Sequence, residues 1–404
     1  MLSTLIYIIK EVQVAQKTIY IHIGTHKTGT SSIQKTMSNN DELLLANDYL
    51  YPRQSRVFQT GHHNLVYEYY SPSQFVSERG SMAEMLDEFE QSSASNLLLS
   101  SENFYWFEQD HIDAFISHLP KDAEKRVVIY LRRQDEFLQS AIVQSFKTLL
   151  WKEPIDEWPT KYEQHGLRGD YAAILQLWAN AVGANNVMVR PFERSQMAKG
   201  DLLYDFLKTV RLPEVHNRLH AHNAENISPG NITLAFIQAY YNNISSEEED
   251  VAWIAYQKEF LRQLLQYSAS QYPTQQRYNI IDANVHRQVM AKFAETNRLV
   301  AQRYLGRTQL FTEPFKQKPI ASVENVSLSN ADYIEAFVQC GYAVNDKNVR
   351  RAVWETRRKS LENRKVLKKT YDSLKLHAGQ LEEMLHRKDK QIDQLKNKVA
   401  RKGV

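Results

Sequence analysis

A stretch near the N-terminus combines the residue types that bind phosphate. The run TIYIHI, residues 18–23, is typical of a buried strand, and GTHKTGTSS, residues 24–32, separates it from a helix-compatible run. Glycines let the backbone approach an anion, and the free N–H groups and dipole at a helix start favour negative charge. We therefore predict an anion-binding loop that also holds Lys27 and four hydroxyl residues, Thr28, Thr30, Ser31 and Ser32.

The position of the lysine argues against an ordinary nucleoside triphosphatase. A Walker A loop ends in Gly-Lys-Ser or Gly-Lys-Thr. In this chain Lys27 stands two residues before Gly29, and Thr30 follows that glycine. The predicted loop is therefore an anion site of a different kind.

A second cationic position follows another predicted strand. Arg132 comes directly after RVVIYL, residues 126–131, and Ser140 lies eight residues further, about two turns along the next helix. A guanidinium forks onto phosphate oxygens, and a hydroxyl adds a hydrogen bond. Arg133 stands beside Arg132, and the sequence leaves open whether it shares this role.

The loop and the Arg132/Ser140 pair together resemble the sulfotransferases that use 3′-phosphoadenosine 5′-phosphosulfate (PAPS), particularly the bacterial proteins that act on glycans. KTGTSS is similar to their 5′-phosphosulfate loop, and Arg132 with Ser140 resembles their 3′-phosphate site. The family often has Arg-Asp-Pro at this strand end, where residues 132–134 are Arg-Arg-Gln. Further similarity over residues 171–193 and 297–311 extends the match to about residues 18–315.

The resemblance implies transfer of a sulfuryl group from PAPS, without a metal, to a hydroxyl or amine of an acceptor that we expect to be a carbohydrate. The donor-binding residues that it implies are Lys27, Thr28, Gly29, Thr30, Ser31, Ser32, Arg132 and Ser140. Aromatic residues that could stack on sugar rings are dense in three predicted loops: Tyr67, Tyr69, Tyr70, Phe104, Tyr105, Trp106, Phe107, Trp151 and Trp158.

Three residues are candidates for the base that deprotonates the acceptor. Glu102 follows the predicted strand NLLLSS, residues 96–101, as does a substrate-facing glutamate in related glycan sulfotransferases. His62 and His63 lie in a predicted loop after Gly61, and histidine has a suitable pKa. The sequence does not decide between the three, and Lys27 completes the predicted catalytic set.

Strands alternate with helices from residue 18 to residue 190, which predicts an α/β fold with a P-loop-like parallel sheet flanked by helices. We predict that residues 1–315 form the sulfotransferase-like domain, residues 316–350 a connector and residues 351–404 a basic tail. The tail carries 16 Lys and Arg against 7 Asp and Glu, a net charge of +9 in a chain whose total is +3.

Residues 361–399 show a heptad pattern that predicts a coiled-coil extension of the fold. Its a positions are Tyr371, Ala378, Leu385, Ile392 and Val399, and among the d positions only Lys388 is charged. We expect self-association or a protein partner here. An anionic membrane surface would also suit the charge, which alone does not indicate specific nucleic-acid binding.

The composition bounds the cellular setting. One cysteine, Cys340, excludes an intramolecular disulfide and fits a reducing compartment. No apolar run reaches the roughly 18 residues of a membrane span, and Met1–Ile9 lacks the basic start and cleavage site of a signal peptide. We predict a cytoplasmic protein, with a peripheral membrane position as an option.

Two other functions remain open at this stage. One is an ATP-dependent, kinase-like P-loop enzyme, in which Glu102 would help to hold Mg²⁺. The other is a non-catalytic coiled-coil scaffold that keeps a sulfotransferase-like fold, although Lys27, Arg132 and Ser140 all argue against it.

Overall fold

The computed structural model describes residues 16–57, 60–148, 168–220, 230–242, 251–275, 279, 281, 283–315 and 328–341. By its packing the chain divides into two compact units, Met1–Asn231 with Gln276–Ser322, and Ile232–Gln275 with Val323–Val404. The boundaries predicted near residues 315 and 350 stay predictions, because most of residues 316–350 and all of the tail lie outside the described residues.

The first unit is built on a five-stranded sheet in the order β2-β3-β1-β4-β5, and every pairing is parallel. The strands are β1 (Thr18–His22), β2 (Tyr49–Leu50), β3 (Asn96–Ser100), β4 (Glu124–Leu131) and β5 (Val187–Pro191). The predicted α/β class is confirmed.

Helices follow the strands in sequence and flank the sheet. In the first unit they are α1 (Thr30–Ser38), α2 (Asp41–Leu45), α3 (His63–Tyr70), α4 (Met82–Gln91), α5 (Gln109–His118), α6 (Gln134–Thr148), α7 (Tyr171–Val182) and α8 (Leu202–Thr209), and, after the second unit's first segment, α11 (Ala283–Lys292) and α12 (Ala294–Leu305).

Alternating side chains fill the two sides of the sheet. Ile19 and Ile21 of β1 pack into one apolar cluster, whereas Tyr20 between them packs into the other. Because successive residues of a strand face opposite sides, continuous apolar runs such as these indicate a sheet covered on both faces. Burial on both sides holds the strand ends in place, and the candidate site lies at one of these edges.

The second unit is helical over its described residues. It contains α9 (Asn231–Asn242, whose first residue belongs to the first unit), α10 (Val251–Gln271) and α13 (Asn330–Gln339). Phe337 packs against Phe236 and Phe260, with ring centroids 6.5 and 5.8 Å apart. Within the described part of the chain no helix is long and apolar enough to cross a membrane. The predicted coiled coil lies outside the described residues.

Candidate active site

The carboxyl ends of the three central strands bring the predicted site residues to one edge of the sheet. The loop of residues 24–29 follows β1, Glu102 comes two residues after β3, and Arg132 directly follows β4. Since β1 lies between β3 and β4, the loop is flanked by the other two positions. Open parallel sheets bind their ligands at this edge.

Backbone hydrogen bonds attach the loop to β4. Tyr130 N–H donates to the Gly24 carbonyl at 2.7 Å, and Thr25 N–H donates to the Tyr130 carbonyl at 2.9 Å. The Thr28 hydroxyl donates to the Thr25 carbonyl at 2.6 Å and is buried. This hydroxyl therefore shapes the loop, and only the backbone of Thr28 is left to face an anion.

The end of the loop presents backbone donors without acceptors. No described residue accepts a hydrogen bond from the backbone N–H groups of residues 28–31, whereas Ser32 N–H donates to the Gly29 carbonyl. Gly29 caps α1 with φ 77°, no side chain caps this helix, and its first turn holds no acidic residue. These N–H groups are the ones that the sequence predicted for phosphate.

Lys27 and Arg132 meet directly. Arg132 Nη1 donates to the Lys27 carbonyl oxygen at 2.9 Å, and Lys27 Nζ donates to Gln144 Oε1 at 3.1 Å. The surrounding protein displaces water from the ammonium and Arg132 repels it, so the pKa of Lys27 lies below its ordinary value. Two cations next to each other favour an anionic ligand that interacts with both.

The structure distinguishes Arg132 from Arg133, a question that the sequence left open. Arg133 forms an ion pair with the buried Asp135 at 2.9 Å and donates to the Glu313 carbonyl at 2.9 Å. Both partners belong to the first unit, so the Arg133 side chain stabilises the packing of that unit. Arg132 instead contacts the loop and forms only a partly exposed pair with Glu136, at 3.3 Å.

Ser140 lies on α6, the helix that follows Arg132, as predicted. It is partly exposed, and its hydroxyl forms no hydrogen bond with any described residue. No hydrogen bond joins Ser140 to Arg132 among the described residues. The two residues therefore remain a predicted pair whose connection would be a ligand.

Glu102 lies against the loop. Gly24 has φ 94°, which side chains rarely adopt, and an added Cβ would lie only 3.1 Å from Glu102 Cβ, so glycine favours this close approach. Burial acts to raise the pKa of Glu102, but His63, the backbone, His26 and Gln34 outweigh it and leave the pKa below its ordinary value. Glu102 is therefore a carboxylate at neutral pH and is able to accept a proton.

His62 is less suited to catalysis than the sequence suggested. It is fully buried, its Nδ1 accepts from Ser100 N–H at 3.0 Å, and its Nε2 lies 3.0 Å from the Pro52 carbonyl. With both ring nitrogens bonded to the backbone, His62 joins β3 to residue 52. Desolvation lowers its pKa to about 3, so the ring is neutral.

The sequence predicted His63 in a loop, but the structure makes it the first residue of α3. Its Nδ1 lies 2.8 Å from Ser101 Oγ, and the charge of Glu102 partly offsets the desolvation that lowers its pKa. His63 thus lies beside Glu102 and lowers the pKa of its carboxyl group. The geometry makes His63 a neighbour of the candidate base.

Two residues that the sequence did not mark, His26 and Gln34, also belong to the site, together with Trp106, which was predicted only as a possible platform for a sugar ring. Trp106 Nε1 donates to His26 Nε2 at 2.9 Å, and Gln34 Nε2 donates to Glu102 Oε2 at 2.8 Å. His26 immediately precedes Lys27, which was the available signal. Nothing in the sequence pattern marks Gln34, because its partner is 68 residues away.

The aromatic residues near Glu102 are mostly core residues. Phe104, Tyr105 and Phe107 are almost fully buried and pack in the apolar cluster on one side of the sheet. They are therefore not exposed platforms for a sugar ring, whereas Trp106 is partly exposed. Trp151 and Trp158 lie outside the described residues.

No protein-family model and no curated protein matches the chain. One solved structure, the sulfotransferase from Alicyclobacillus acidocaldarius, is similar over 56% of this chain and 93% of its own, with 16% sequence identity and a TM-score of 0.34. These values do not establish a family, so the functional interpretation rests on the residues of the site.

The arrangement combines the predicted anion-binding loop with two cations and a carboxylate. Within the described residues no group of three or more His, Cys, Asp or Glu is placed to hold a metal ion. Such a site has the parts required to transfer a group from an anionic substrate. Its N–H groups and cations can bind the leaving group, and its carboxylate can take a proton.

Proposed function

We propose that this chain transfers a sulfuryl group from PAPS to a hydroxyl or amine of an acceptor, expected to be a carbohydrate. The observation that supports it best is the 2.9 Å hydrogen bond from Arg132 Nη1 to the Lys27 carbonyl. This contact makes the predicted 3′-phosphate arginine a direct neighbour of the predicted 5′-phosphosulfate loop. One ligand with two separate phosphates would use both.

The residues present fit such a donor. Three groups offer hydrogen bonds to anionic oxygens: the Lys27 ammonium, the Arg132 guanidinium, and the N–H groups of residues 28–31, for which the described part of the chain provides no acceptor. When bound, PAPS supplies an activated sulfuryl group, whose sulfur–oxygen bond to phosphate breaks on transfer with the electron pair moving to the phosphate oxygen. The residues of this chain would bind that phosphate and stabilise the negative charge that develops on its oxygen as the bond breaks.

Glu102 is the base in this proposal. Its carboxylate accepts the proton of the acceptor hydroxyl as the new bond from oxygen to sulfur forms, a role worth about 10²–10⁴-fold in rate. Lys27 and the loop N–H groups stabilise the phosphate oxygen that receives the electron pair. His62 has no part in the step because both ring nitrogens bond to the backbone.

Calorimetric binding of 3′-phosphoadenosine 5′-phosphate, compared with ATP and Mg²⁺, tests the proposal. Wild type should bind the bisphosphate and bind ATP weakly, and Lys27→Ala and Arg132→Ala should each lose bisphosphate affinity. Arg298→Ala is the matched control, since Arg298 pairs with Glu295 on an exposed helix surface. Absence of bisphosphate binding would overturn the proposal and favour the scaffold. Preference for ATP with Mg²⁺ would favour the kinase-like alternative.

We further propose that residues 351–404 mediate self-association or bind a protein partner, on the basis of the heptad and the charge of +9. Light scattering of the full chain and of a chain ending at residue 350 tests this, because removal of the tail should lower the mass of the assembly. Salt-dependent binding to anionic vesicles, lost on the same truncation, would indicate the peripheral membrane position instead.

A further inference from the structure

The hydrogen bond between Trp106 and His26 determines where the imidazole carries its proton. An indole nitrogen is a donor only, so His26 Nε2, 2.9 Å from Trp106 Nε1, must supply a lone pair. In a neutral ring the proton is then on Nδ1. A proton on Nε2 would face the indole N–H and break the bond. Trp106 therefore favours the uncharged Nδ1–H form of His26.

Trp106 is itself held in position. It ends the 3₁₀ turn Glu102–Trp106, whose N-cap Ser101 accepts a hydrogen bond from Asn103 N–H. The guanidinium of Arg168 lies 5.9 Å from the Trp106 ring and donates to the Tyr105 carbonyl at 3.0 Å. The indole is thus fixed by the turn and by a cation over its ring.

The charged neighbours of His26 act in different directions. Desolvation lowers the pKa of His26, Glu102 at the end of β3 raises it, and both His63 on α3 and Lys27 in the loop lower it. The net effect is a lowered pKa, consistent with the neutral ring that the indole requires. No described residue accepts a hydrogen bond from Nδ1, so this N–H is available to a ligand in the part of the site that the structure describes.

We propose that His26 is a further catalytic residue whose Nδ1–H donates to a sulfuryl oxygen of the donor, and that Trp106 is a positioning residue that holds His26 in this form. The inference rests on the proposed function. In the transfer step His26 keeps its proton, because the proton of the acceptor goes to Glu102 and the electron pair of the broken bond goes to phosphate. A neutral donor at this position binds the sulfuryl oxygens without adding a third cation beside Lys27 and Arg132.

The tautomer can be measured without any ligand. Nitrogen-15 NMR of the histidine rings in the full chain, between pH 6 and pH 8, should show an unprotonated Nε2 and a protonated Nδ1 for His26. Trp106→Phe keeps an aromatic ring but lacks the donor, so it should give a mixture of tautomers and a His26 that protonates at higher pH than in wild type. A protonated Nε2 in the wild-type chain would overturn the inference while leaving the proposed function intact.

Comparing two nucleotides isolates the contact with the sulfuryl group. PAPS and 3′-phosphoadenosine 5′-phosphate differ only by that group, so a residue that touches it alters the affinity for PAPS alone. His26→Gln, which places its amide near the position of Nε2 and keeps a partner for Trp106, should weaken PAPS binding about 10- to 100-fold, the range for a hydrogen bond to a charged group. It should leave bisphosphate binding unchanged.

His26→Asn is the conservative variant, because its amide nitrogen lies near the position of Nδ1 and can donate in its place. It should retain more of the PAPS affinity than His26→Gln does. Equal losses for both nucleotides, or no loss in either variant, would overturn the inference. Failure of wild type to bind either nucleotide would instead overturn the proposed function, and the assignment of His26 with it.

Discussion

The side-chain amide of Gln34 donates a hydrogen bond to Glu102 Oε2 at 2.8 Å and so links α1, whose N-terminus is the predicted anion site, to the candidate base. The same amide nitrogen lies 3.3 Å from Ser100 Oγ, and Gln34 is almost fully buried. The contact stabilises the ionised form of Glu102 and is one cause of its lowered pKa. In the proposed mechanism, one buried side chain therefore connects the predicted donor-binding helix to the carboxylate proposed as the base.

Replacing Gln34 should shift the pH dependence of transfer. Gln34→Met removes the donor with little change in volume, so the pKa of Glu102 should rise. The acid limb of the kcat/KM profile should then move to higher pH. Glu102→Gln should lower kcat by about 10²–10⁴-fold at pH values above that limb, where the wild-type base is ionised. An acid limb that does not move in Gln34→Met would mean that Glu102 is not the group that limits the rate.

The two adjacent arginines should behave differently. Arg132→Ala should weaken binding of 3′-phosphoadenosine 5′-phosphate by about 10- to 100-fold, the range for a hydrogen bond to a charged group. Arg133→Ala should leave binding nearly unchanged but lower the free energy of unfolding, because it removes the guanidinium paired with the fully buried Asp135. The carboxylate would keep only the His286 ring, at 3.1 Å, and the Glu136 N–H as partners. Calorimetry and urea denaturation of both variants measure these effects. Loss of binding in Arg133→Ala with normal stability would contradict this distinction.

Gly29 should tolerate alanine poorly. Its φ of 77° is strained for any side chain, and an added Cβ would lie 2.4 Å from Leu202 Cδ2. Gly306 is the matched control, because it has φ 64° and nothing within 4 Å of an added Cβ. Gly306→Ala should cost about 1 kcal/mol of unfolding free energy, and Gly29→Ala should cost more. Leu202→Ala removes the side chain that an added Cβ would meet. In a Leu202→Ala background, Gly29→Ala should therefore cost only about as much unfolding free energy as Gly306→Ala does in wild type, which urea denaturation measures.

Two buried histidines should make the fold sensitive to acid. Burial lowers the pKa of His22 from 6.5 to about 4 and that of His62 to about 3. The unfolded chain therefore binds protons at a higher pH than the folded one. The stability that these rings contribute is complete above pH 6.5. It is lost progressively as the pH falls, down to about 4 for His22 and about 3 for His62. For His22 the difference corresponds to about 3 kcal/mol.

Urea denaturation at pH 7.5, 6.0 and 5.0 measures this loss. His62→Gln should reduce stability at pH 7.5, because the bonds to Ser100 and Pro52 are weakened, but should also make the dependence on pH less steep. A slope equal to that of wild type would show that His62 does not titrate between the folded and unfolded states in this range.

Local sequence was sufficient for the strands, the loop and the position of Arg132. A short, mostly apolar run such as Ile19–Ile23 between turn residues is typical of a buried strand. A glycine loop before a helix start exposes its N–H groups because of local backbone geometry, independently of distant residues. For the same reason Lys27 lies in a loop after β1, as the sequence indicated, and the N–H groups of residues 28–31 follow it at the end of the loop and the start of α1.

Only the tertiary structure decided which side chains meet. Arg132 and Arg133 are adjacent in sequence, but only Arg133 faces Asp135 and the Glu313 carbonyl. His62 bonds to the backbone on both sides, and His26 faces an indole 80 residues away. The sequence determined the elements because their patterns act over a few residues. It could not show these pairings, because burial and hydrogen-bond partners arise when distant segments pack together.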